Sequence, residues 1–256
     1  MNSLLNRDSM MSDELSGSSV LTGMWERDVV DMMYEVMQQD ERNRELEVRR
    51  VLYSLAHSIL ERDSVTYEHS RRVATYAQRL ARAVGWSRAE ARNLALAALV
   101  HDLGKTWIAN GILNKTAALT QEERLVMERH PVIGARILIG CEVQPFYVEA
   151  VLHHHEAWDG HGYPAALQGE MIPIAARLLT IVDVYDVLTS QRPYKAPLSV
   201  EAARERLLIS SGTSFDPTLL ATFVQLLDAN PCFTLPQRSF TEQRRGMQYS
   251  PLLDDF

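Results

Sequence analysis

The sequence predicts an all-α protein, a bundle of helices interrupted by one long loop. Apolar residues recur at helical spacing along most of the chain after residue 24, for example at Val73, Tyr76 and Leu80. Signals that begin and end helices separate these segments. Runs of alternating apolar and polar residues between hairpin turns, which are typical of β-strands, are nearly absent.

Four segments can be distinguished along the chain. Residues 1–23 are polar and are predicted to form a disordered lead-in. Residues 24–47 are predicted to form a linker or dimerisation helix, although its apolar face, about two heptads long, could equally pack on the main bundle. Residues 48–232 are predicted to form the main helical domain, and residues 233–256 a tail outside its core.

Capping residues place several helix ends within the main domain. Ser87 with Glu90, and Thr120 with Glu123, have the spacing of capping boxes at helix starts. Gly85 is suited to end the preceding helix. A loop is predicted from about residue 155 to residue 172, and loops of this length in compact domains are usually functional.

Composition excludes several classes of protein. The chain of 256 residues has a net charge of −7, which argues against binding a nucleic-acid polymer. Its longest apolar run, at 94–100, is far shorter than the roughly 20 residues of a membrane-spanning helix. We therefore expect a cytoplasmic protein without membrane association. The two cysteines, Cys141 and Cys232, form no disulfide or zinc pattern and are predicted to be buried and reduced.

Histidines and carboxylates recur together in short segments. Taken singly, His69 or Asp183 would more often be a structural residue than a ligand. Asp183 nevertheless lies within an apolar helix, where an ionised carboxylate is unfavourable unless it is paired or bound to metal. The adjacent His101 and Asp102 offer nitrogen and oxygen donors at one helix end. Mixed ligands of this kind suit Fe, Mn or Zn, and two such cations can activate water and hold a phosphate.

Five motifs stand in the order and spacing of the HD-GYP family, a branch of the HD phosphohydrolases. They are HDLGK (101–105), HPVIGARIL (130–138), HHHEAWDGHGYP (153–164), VDVYDVLTSQRPYK (182–195) and GTSFDP (212–217). The sequence resembles this family from about residue 48 to residue 228. The resemblance implies an HD-domain helical bundle with a GYP loop, and a bacterial signal-transduction enzyme that hydrolyses cyclic di-GMP at an iron or manganese centre.

Carried over residue by residue, the resemblance implies two metal sites that share one carboxylate. The first would use His69, His101, Asp102 and Asp183, and the second Asp102, His130, His154 and His155. Asp102 and Lys105 are the implied catalytic residues. The implied substrate-binding residues are Lys105, Tyr163, Arg192 and Lys195.

One departure from the family bears on the number of metals. Members with a third metal place a glutamate four residues before the first histidine, where this sequence has Val65. Valine cannot ligate, so we expect a dinuclear centre that releases the linear dinucleotide pGpG more readily than GMP. Glu156 and Asp159 are expected to orient ligands. His153 is expected to orient a ligand or to pack at the helix end, and His161 to lie at the surface.

Alternative functions remain open from the sequence. The substrate could be a mixed cyclic GMP-AMP dinucleotide, because the motifs do not reveal which purine is recognised. The domain could also be a non-catalytic module that senses cyclic di-GMP or binds signalling proteins through the GYP loop, but retention of every dinuclear ligand favours an enzyme. A homodimer is a further possibility.

Overall fold

The computed structural model describes residues 14–191 and 196–230, with side chains from residue 32 onward. Two of the predicted substrate-binding cations, Arg192 and Lys195, lie outside the described residues. So do residues 1–13 and the predicted tail at 233–256.

The described residues form ten α-helices and two short 3₁₀ helices. In chain order the α-helices are α1 (Glu14–Arg62), α2 (Ser64–Ala83), α3 (Arg88–Val100), α4 (Asn110–Leu113), α5 (Gln121–Met127), α6 (His130–Gly140), α7 (Pro145–His153), α8 (Ile174–Thr189), α9 (Val200–Ile209) and α10 (Pro217–Ala229). The 3₁₀ helices are Leu103–Trp107 and Gly169–Met171. Within this part of the chain, β-structure is limited to one isolated bridge between Ser211 and Phe215. The all-α prediction is confirmed.

The chain divides into two compact units, residues 1–48 and residues 49–256. The described part of the first unit is helical and carries exposed apolar side chains, among them Met32, Val36 and Met37. Its helix begins at Glu14, within the stretch predicted to form the lead-in, which extended to residue 23. Extending an existing helix by further residues is much easier than nucleating one, which accounts for the earlier start.

The core of the second unit lies around α2, which packs on both α3 and α8. Helix α8 is buried on most sides, in keeping with its mostly apolar sequence. A chain of edge-to-face aromatic contacts joins Tyr76, Tyr185 and Phe223, with ring centroids 5.3 and 5.2 Å apart. These rings connect α2, α8 and α10, and hold in place the two helices that carry His69 and Asp183.

The predicted helix ends are largely confirmed. Ser87 and Thr120 each form a complete capping box with the predicted glutamate. Gly85 ends its helix with a positive φ of 94°. Pro131 stands in the first turn of α6, where a proline fits because the amides there have no partner within the helix. Cys141 is exposed, contrary to prediction, because it caps the end of α6 where the chain turns.

Gly104 allows the first 3₁₀ helix to pack directly on the start of α6. A methyl group on Gly104 would lie 1.9 Å from the carbonyl oxygen of His130 and 2.8 Å from the amide nitrogen of Gly134. Both neighbours are backbone atoms of a helix and cannot move independently. The glycine of the HDLGK motif therefore allows close contact between two segments that carry predicted metal ligands.

Replacing Gly104 with alanine is expected to lower the free energy of unfolding by about 3 kcal/mol, because the added carbon overpacks the backbone contact. The melting temperature should fall by about 6 °C or more. Gly111→Ala is the matched control, since nothing lies within 4 Å of the added methyl group there. Thermal unfolding followed by circular dichroism would measure both variants, and equal melting temperatures would contradict the contact.

Candidate metal centre

The structure brings all seven predicted metal ligands into one cluster of buried or half-buried side chains. Their ligand atoms form three overlapping groups, and within each group the atoms lie within 4.8 Å of one another. The groups are His69–His101–Asp183, His101–Asp102–His154 and His130–His154–His155. Segments distant in sequence supply them: α2, the end of α3, the start of α6, the end of α7 and α8.

Three of the histidines are oriented in the same way, each at or just beyond the end of a helix. The Nδ1 atoms of His101, His130 and His154 lie 2.6, 2.8 and 2.7 Å from the backbone carbonyl oxygen three residues earlier. A carbonyl oxygen can only accept, so Nδ1 donates and carries the proton. The last carbonyls of a helix have no partner within it and are available for this role. Each Nε2 lone pair is thereby directed into the cluster.

The cluster contains acceptors that face one another without a proton between them. His130 Nε2 lies 3.3 Å from His154 Nε2, although both nitrogens present lone pairs. His101 Nε2 and Asp102 Oδ1 are buried and have no hydrogen-bond partner within the described part of the chain. Convergent, unsatisfied acceptors are unfavourable in a protein interior. Cations among them would remove the repulsion, so the donor set fits divalent metal.

Asp102 presents one carboxylate oxygen to each side of the cluster. Its Oδ2 lies 3.4 Å from His101 Nε2 and 3.9 Å from His69 Nε2, whereas its Oδ1 lies 3.3 Å from His130 Nε2. Ligand atoms about 2.1 Å from a common ion are roughly 3.0–3.4 Å apart. The observed separations are close to this range, and the arrangement matches a carboxylate shared between two ions.

Asp186 orients His69 and was missed by the sequence analysis. Its Oδ2 lies 2.7 Å from His69 Nδ1, and Arg72 donates to both of its oxygens at 2.7 and 2.9 Å. Because a carboxylate accepts, His69 Nδ1 is the donor, and Nε2 faces Asp183 at 2.9 Å. The signal was present in the sequence. His69 and Arg72, like Asp183 and Asp186, are three residues apart and so lie on one helix face.

Asp186→Asn is expected to weaken binding of the ion held by His69 about 10- to 100-fold, because the charge that orients the imidazole is lost. Titration of the metal-free protein with Mn²⁺ would measure the affinity. Asp228→Asn provides the control, since Asp228 pairs with Arg204 at 2.9 Å on the exposed surface. Unchanged Mn²⁺ affinity in the Asp186 variant would show that this carboxylate is only structural.

Burial sets the protonation of most of the cluster histidines. It lowers the pKa of His130 to about 3 and that of His155 to about 4, and it lowers the pKa of His154 well below its usual value. For His69 burial acts in the same direction, but hydrogen bonds to Asp183 and Asp186 outweigh it and raise the pKa to about 9. At neutral pH most of these imidazoles are therefore unprotonated, as metal binding requires.

The metal-free protein is expected to be most stable near pH 6.5. Below pH 6.5, the ordinary pKa of histidine, His130 and His155 become protonated in the unfolded chain but stay neutral in the folded protein. This proton uptake favours unfolding, so stability falls as the pH drops. Above pH 6.5, the stabilisation from charged His69 is lost as the pH rises through about 9. Melting temperatures of chelator-treated protein between pH 5 and 9 should pass through a maximum, and a flat profile would contradict these shifts.

Glu156 fixes the long loop that follows α7. Its carboxylate is buried and accepts hydrogen bonds from the amides of Ala165 (2.7 Å) and Leu167 (3.0 Å). The expectation that Glu156 orients a metal ligand is corrected, because of the histidines only His153 lies near it, at 3.4 Å, and His153 is not in the metal cluster. A methyl group on Gly162 would lie 2.1 Å from the amide nitrogen of Ala157, so the loop requires glycine there.

The loop is also held by the turn of the GTSFDP motif. The amides of Trp158 and Asp159 donate to the carbonyl oxygens of Ser214 and Thr213 at 3.3 and 2.9 Å. Asp159 accepts from the amide of His161, whose side chain is exposed as predicted. Asp159 therefore shapes the loop, and no contact of its carboxylate with a metal ligand is found among the described residues.

Lys105 and Tyr163 stand at the border of the cluster. Lys105 Nζ donates to Asp102 Oδ2 at 2.6 Å and is about one quarter exposed. The Tyr163 ring lies against His155, with centroids 4.9 Å apart, and its amide donates to the His155 carbonyl oxygen at 3.2 Å. Burial, reinforced by Glu128, raises the pKa of Tyr163, so its hydroxyl is neutral at physiological pH.

Residues 54–219 match the family model of the HD domain. The chain belongs to the HD domain family. Similar curated proteins include the cyclic di-GMP phosphodiesterase response regulator RpfG of Xanthomonas campestris pv. campestris, 41% identical over 66% of this chain and 45% of that protein. The 3′3′-cGAMP-specific phosphodiesterase 2 of Vibrio cholerae is 37% identical over 70% of this chain and 35% of that protein. The resemblance of this HD domain to the HD-GYP branch is confirmed.

Solved structures share the fold of this HD domain. A cyclic GMP-AMP-specific phosphodiesterase of Vibrio cholerae superimposes with a TM-score of 0.55 at 20% identity, over 80% of this chain and 54% of that chain. The PgpH HD domain of Listeria monocytogenes, in complex with cyclic di-AMP, superimposes with a TM-score of 0.52 at 18% identity, over 73% of this chain and 100% of that chain. This chain spans less than half the length of the curated relatives that it matches.

None of the described helices combines the length and the apolar character needed to cross a membrane.

Proposed function

We propose that this HD domain is a metal-dependent phosphodiesterase that hydrolyses cyclic di-GMP to linear pGpG. The observation that carries the proposal is the position of Asp102. Its Oδ2 lies near His101 and its Oδ1 near His130, and Lys105 donates to Oδ2. Curated relatives named cyclic di-GMP phosphodiesterases, at 40–41% identity, support the same substrate.

Two divalent ions, iron or manganese, are proposed to occupy the cluster. One would be held by His69, His101, Asp102 and Asp183, and the other by Asp102, His130, His154 and His155. When bound, such ions supply Lewis-acid stabilisation of phosphate oxygens and an activated water nucleophile. Val65 offers no ligand at the position of the family's additional glutamate, which supports two ions and pGpG as the product.

The protein's own residues supply the remaining steps. The Lys105 ammonium can move from Asp102 to the departing 3′ oxygen and stabilise the charge that develops there. Tyr163, neutral at physiological pH, can donate a hydrogen bond to the substrate from its position beside His155. Burial of the ligands limits access of bulk water, which strengthens each of these electrostatic contacts. Arg192 and Lys195 are proposed to hold the other phosphate of the cyclic dinucleotide.

A second candidate substrate is 3′3′-cyclic GMP-AMP. Similarity to the Vibrio cholerae 3′3′-cGAMP-specific phosphodiesterase 2, at 37% identity over 70% of this chain, supports this candidate. Homodimerisation, protein partners at the GYP loop and a cytoplasmic location remain predictions.

The test is a direct comparison of the two substrates. Protein loaded with Mn²⁺ would be incubated separately with cyclic di-GMP and with 3′3′-cyclic GMP-AMP, and the products would be separated by chromatography. We expect pGpG to accumulate and kcat/KM to be higher for cyclic di-GMP. Preference for the mixed dinucleotide would reassign the substrate, and turnover of neither would refute the phosphodiesterase proposal.

A further inference from the structure

Trp107 is exposed in a way that is unusual for its residue type. About 73% of its surface is accessible, whereas Trp86 and Trp158 are partly buried, and no other described tryptophan side chain is exposed. Tryptophan normally buries most of its large apolar ring. An indole that remains in solvent is available to contact a ligand.

The backbone that carries Trp107 is fixed on both sides. The next residue, Ile108, is buried, and Arg62 Nη2 donates to its carbonyl oxygen at 3.2 Å. At the other end of the same 3₁₀ helix, Gly104 packs directly on the backbone of His130. The exposed ring therefore projects from a rigid support, which lowers the entropy lost when a ligand binds to it.

The 3₁₀ helix relates Trp107 to the reacting groups. Asp102 directly precedes this helix and Lys105 lies within it. With a rise of about 2 Å per residue, the α-carbon of Trp107 lies about 10 Å from that of Asp102 along the axis. Trp107 stands two residues after Lys105 in the same helix, and its side chain is exposed. The separation resembles the distance from a nucleotide's phosphate to its base.

A purine base offers a flat aromatic face at that distance. Stacking on an exposed aromatic side chain needs no defined hydrogen-bond pattern and strengthens nucleotide binding substantially. We propose that Trp107 is a stacking platform for one guanine of the cyclic dinucleotide whose phosphate lies at Lys105. This inference rests on the proposed phosphodiesterase function and adds to it a residue that binds the base.

Steady-state kinetics with cyclic di-GMP would test the role in substrate binding. Trp107→Ala is expected to raise KM roughly 10- to 100-fold, the range for loss of one base–aromatic stack, and to change kcat by about twofold or less. Trp107→Phe retains an aromatic face and should have a KM close to that of the wild type. Metal content should be equal in all three proteins. A KM for Trp107→Ala within about twofold of the wild type would overturn the proposal.

Tryptophan fluorescence would test the contact without requiring turnover. Rapid mixing with cyclic di-GMP should quench the emission of the wild type, because the guanine lies against the Trp107 ring, and the quench should be absent in Trp107→Phe. A wild-type protein that is quenched but does not turn over would refute the phosphodiesterase function and keep the stacking contact. A quench of equal size in both proteins would overturn the stacking contact alone.

Discussion

Replacing Asp102 with alanine is expected to remove both metal ions and to lower phosphodiesterase activity by at least about 10³-fold. Among the described residues, Asp102 is the only carboxylate of the cluster that lies close to histidines of both proposed sites, 3.4 Å from His101 and 3.3 Å from His130. Without it, each proposed site loses an anionic ligand. Losing metal catalysis removes several kcal/mol of barrier lowering, and each 1.4 kcal/mol or so is tenfold in rate.

Metal analysis and turnover of cyclic di-GMP would be measured on the same preparation of the Asp102 variant. Asp228→Ala is the control, because Asp228 pairs with Arg204 on the exposed surface and should retain two ions and full activity. Circular dichroism would establish that both variants are folded. Full activity in folded Asp102→Ala would show that the cluster is not the active site.

Lys105→Ala is expected to retain two metal ions and to lower kcat by about 10²- to 10³-fold. The loss of rate follows from removing a positioned cation from developing negative charge, an interaction that is stronger in the transition state than in the ground state. Lys105 Nζ lies 2.6 Å from Oδ2 of Asp102, the carboxylate proposed to be shared by the two ions. Because lysine is not a metal ligand in this proposal, the metal occupancy should stay unchanged while the rate falls.

Lys115→Ala provides a closely matched control for the Lys105 variant. Lys115 has nearly the same side-chain exposure, 27% against 25%, and also pairs with a carboxylate, that of Glu123. Glu123 is not among the proposed ligands. The steady-state kinetics and the metal content of Lys115→Ala should equal those of the wild type. An equal loss of rate in both variants, or loss of metal from Lys105→Ala, would contradict the role given to Lys105.

The residues that form the cluster were predictable because the motifs fix their residue types. The histidines at helix ends and Asp183 within an apolar helix follow from hydropathy and helix signals, and the family resemblance supplied their pairing. What brings them into one cluster is the packing of helices far apart in sequence, as in the aromatic contacts of Tyr76 and Tyr185. The spacing of residues along the chain does not reveal which helices pack together.

The interactions that support the ligands were harder to predict. The pairing of Asp186 with His69 and Arg72 joins two helices, and only the matching three-residue spacing on each hinted at it. Glu156 was expected to orient a ligand, but a buried carboxylate after a helix can instead accept from loop amides, and it does so. The choice between these roles depends on the path of the loop, which the sequence does not specify.

The most direct test of the central claim is the metal content of anaerobically purified protein, measured together with its turnover of cyclic di-GMP. The dinuclear proposal predicts about two iron or manganese ions per chain, formation of pGpG, and activity that is lost on chelation and returns when the second ion binds. Turnover by metal-free protein would contradict it. So would a folded protein in which neither iron nor manganese binds at this cluster.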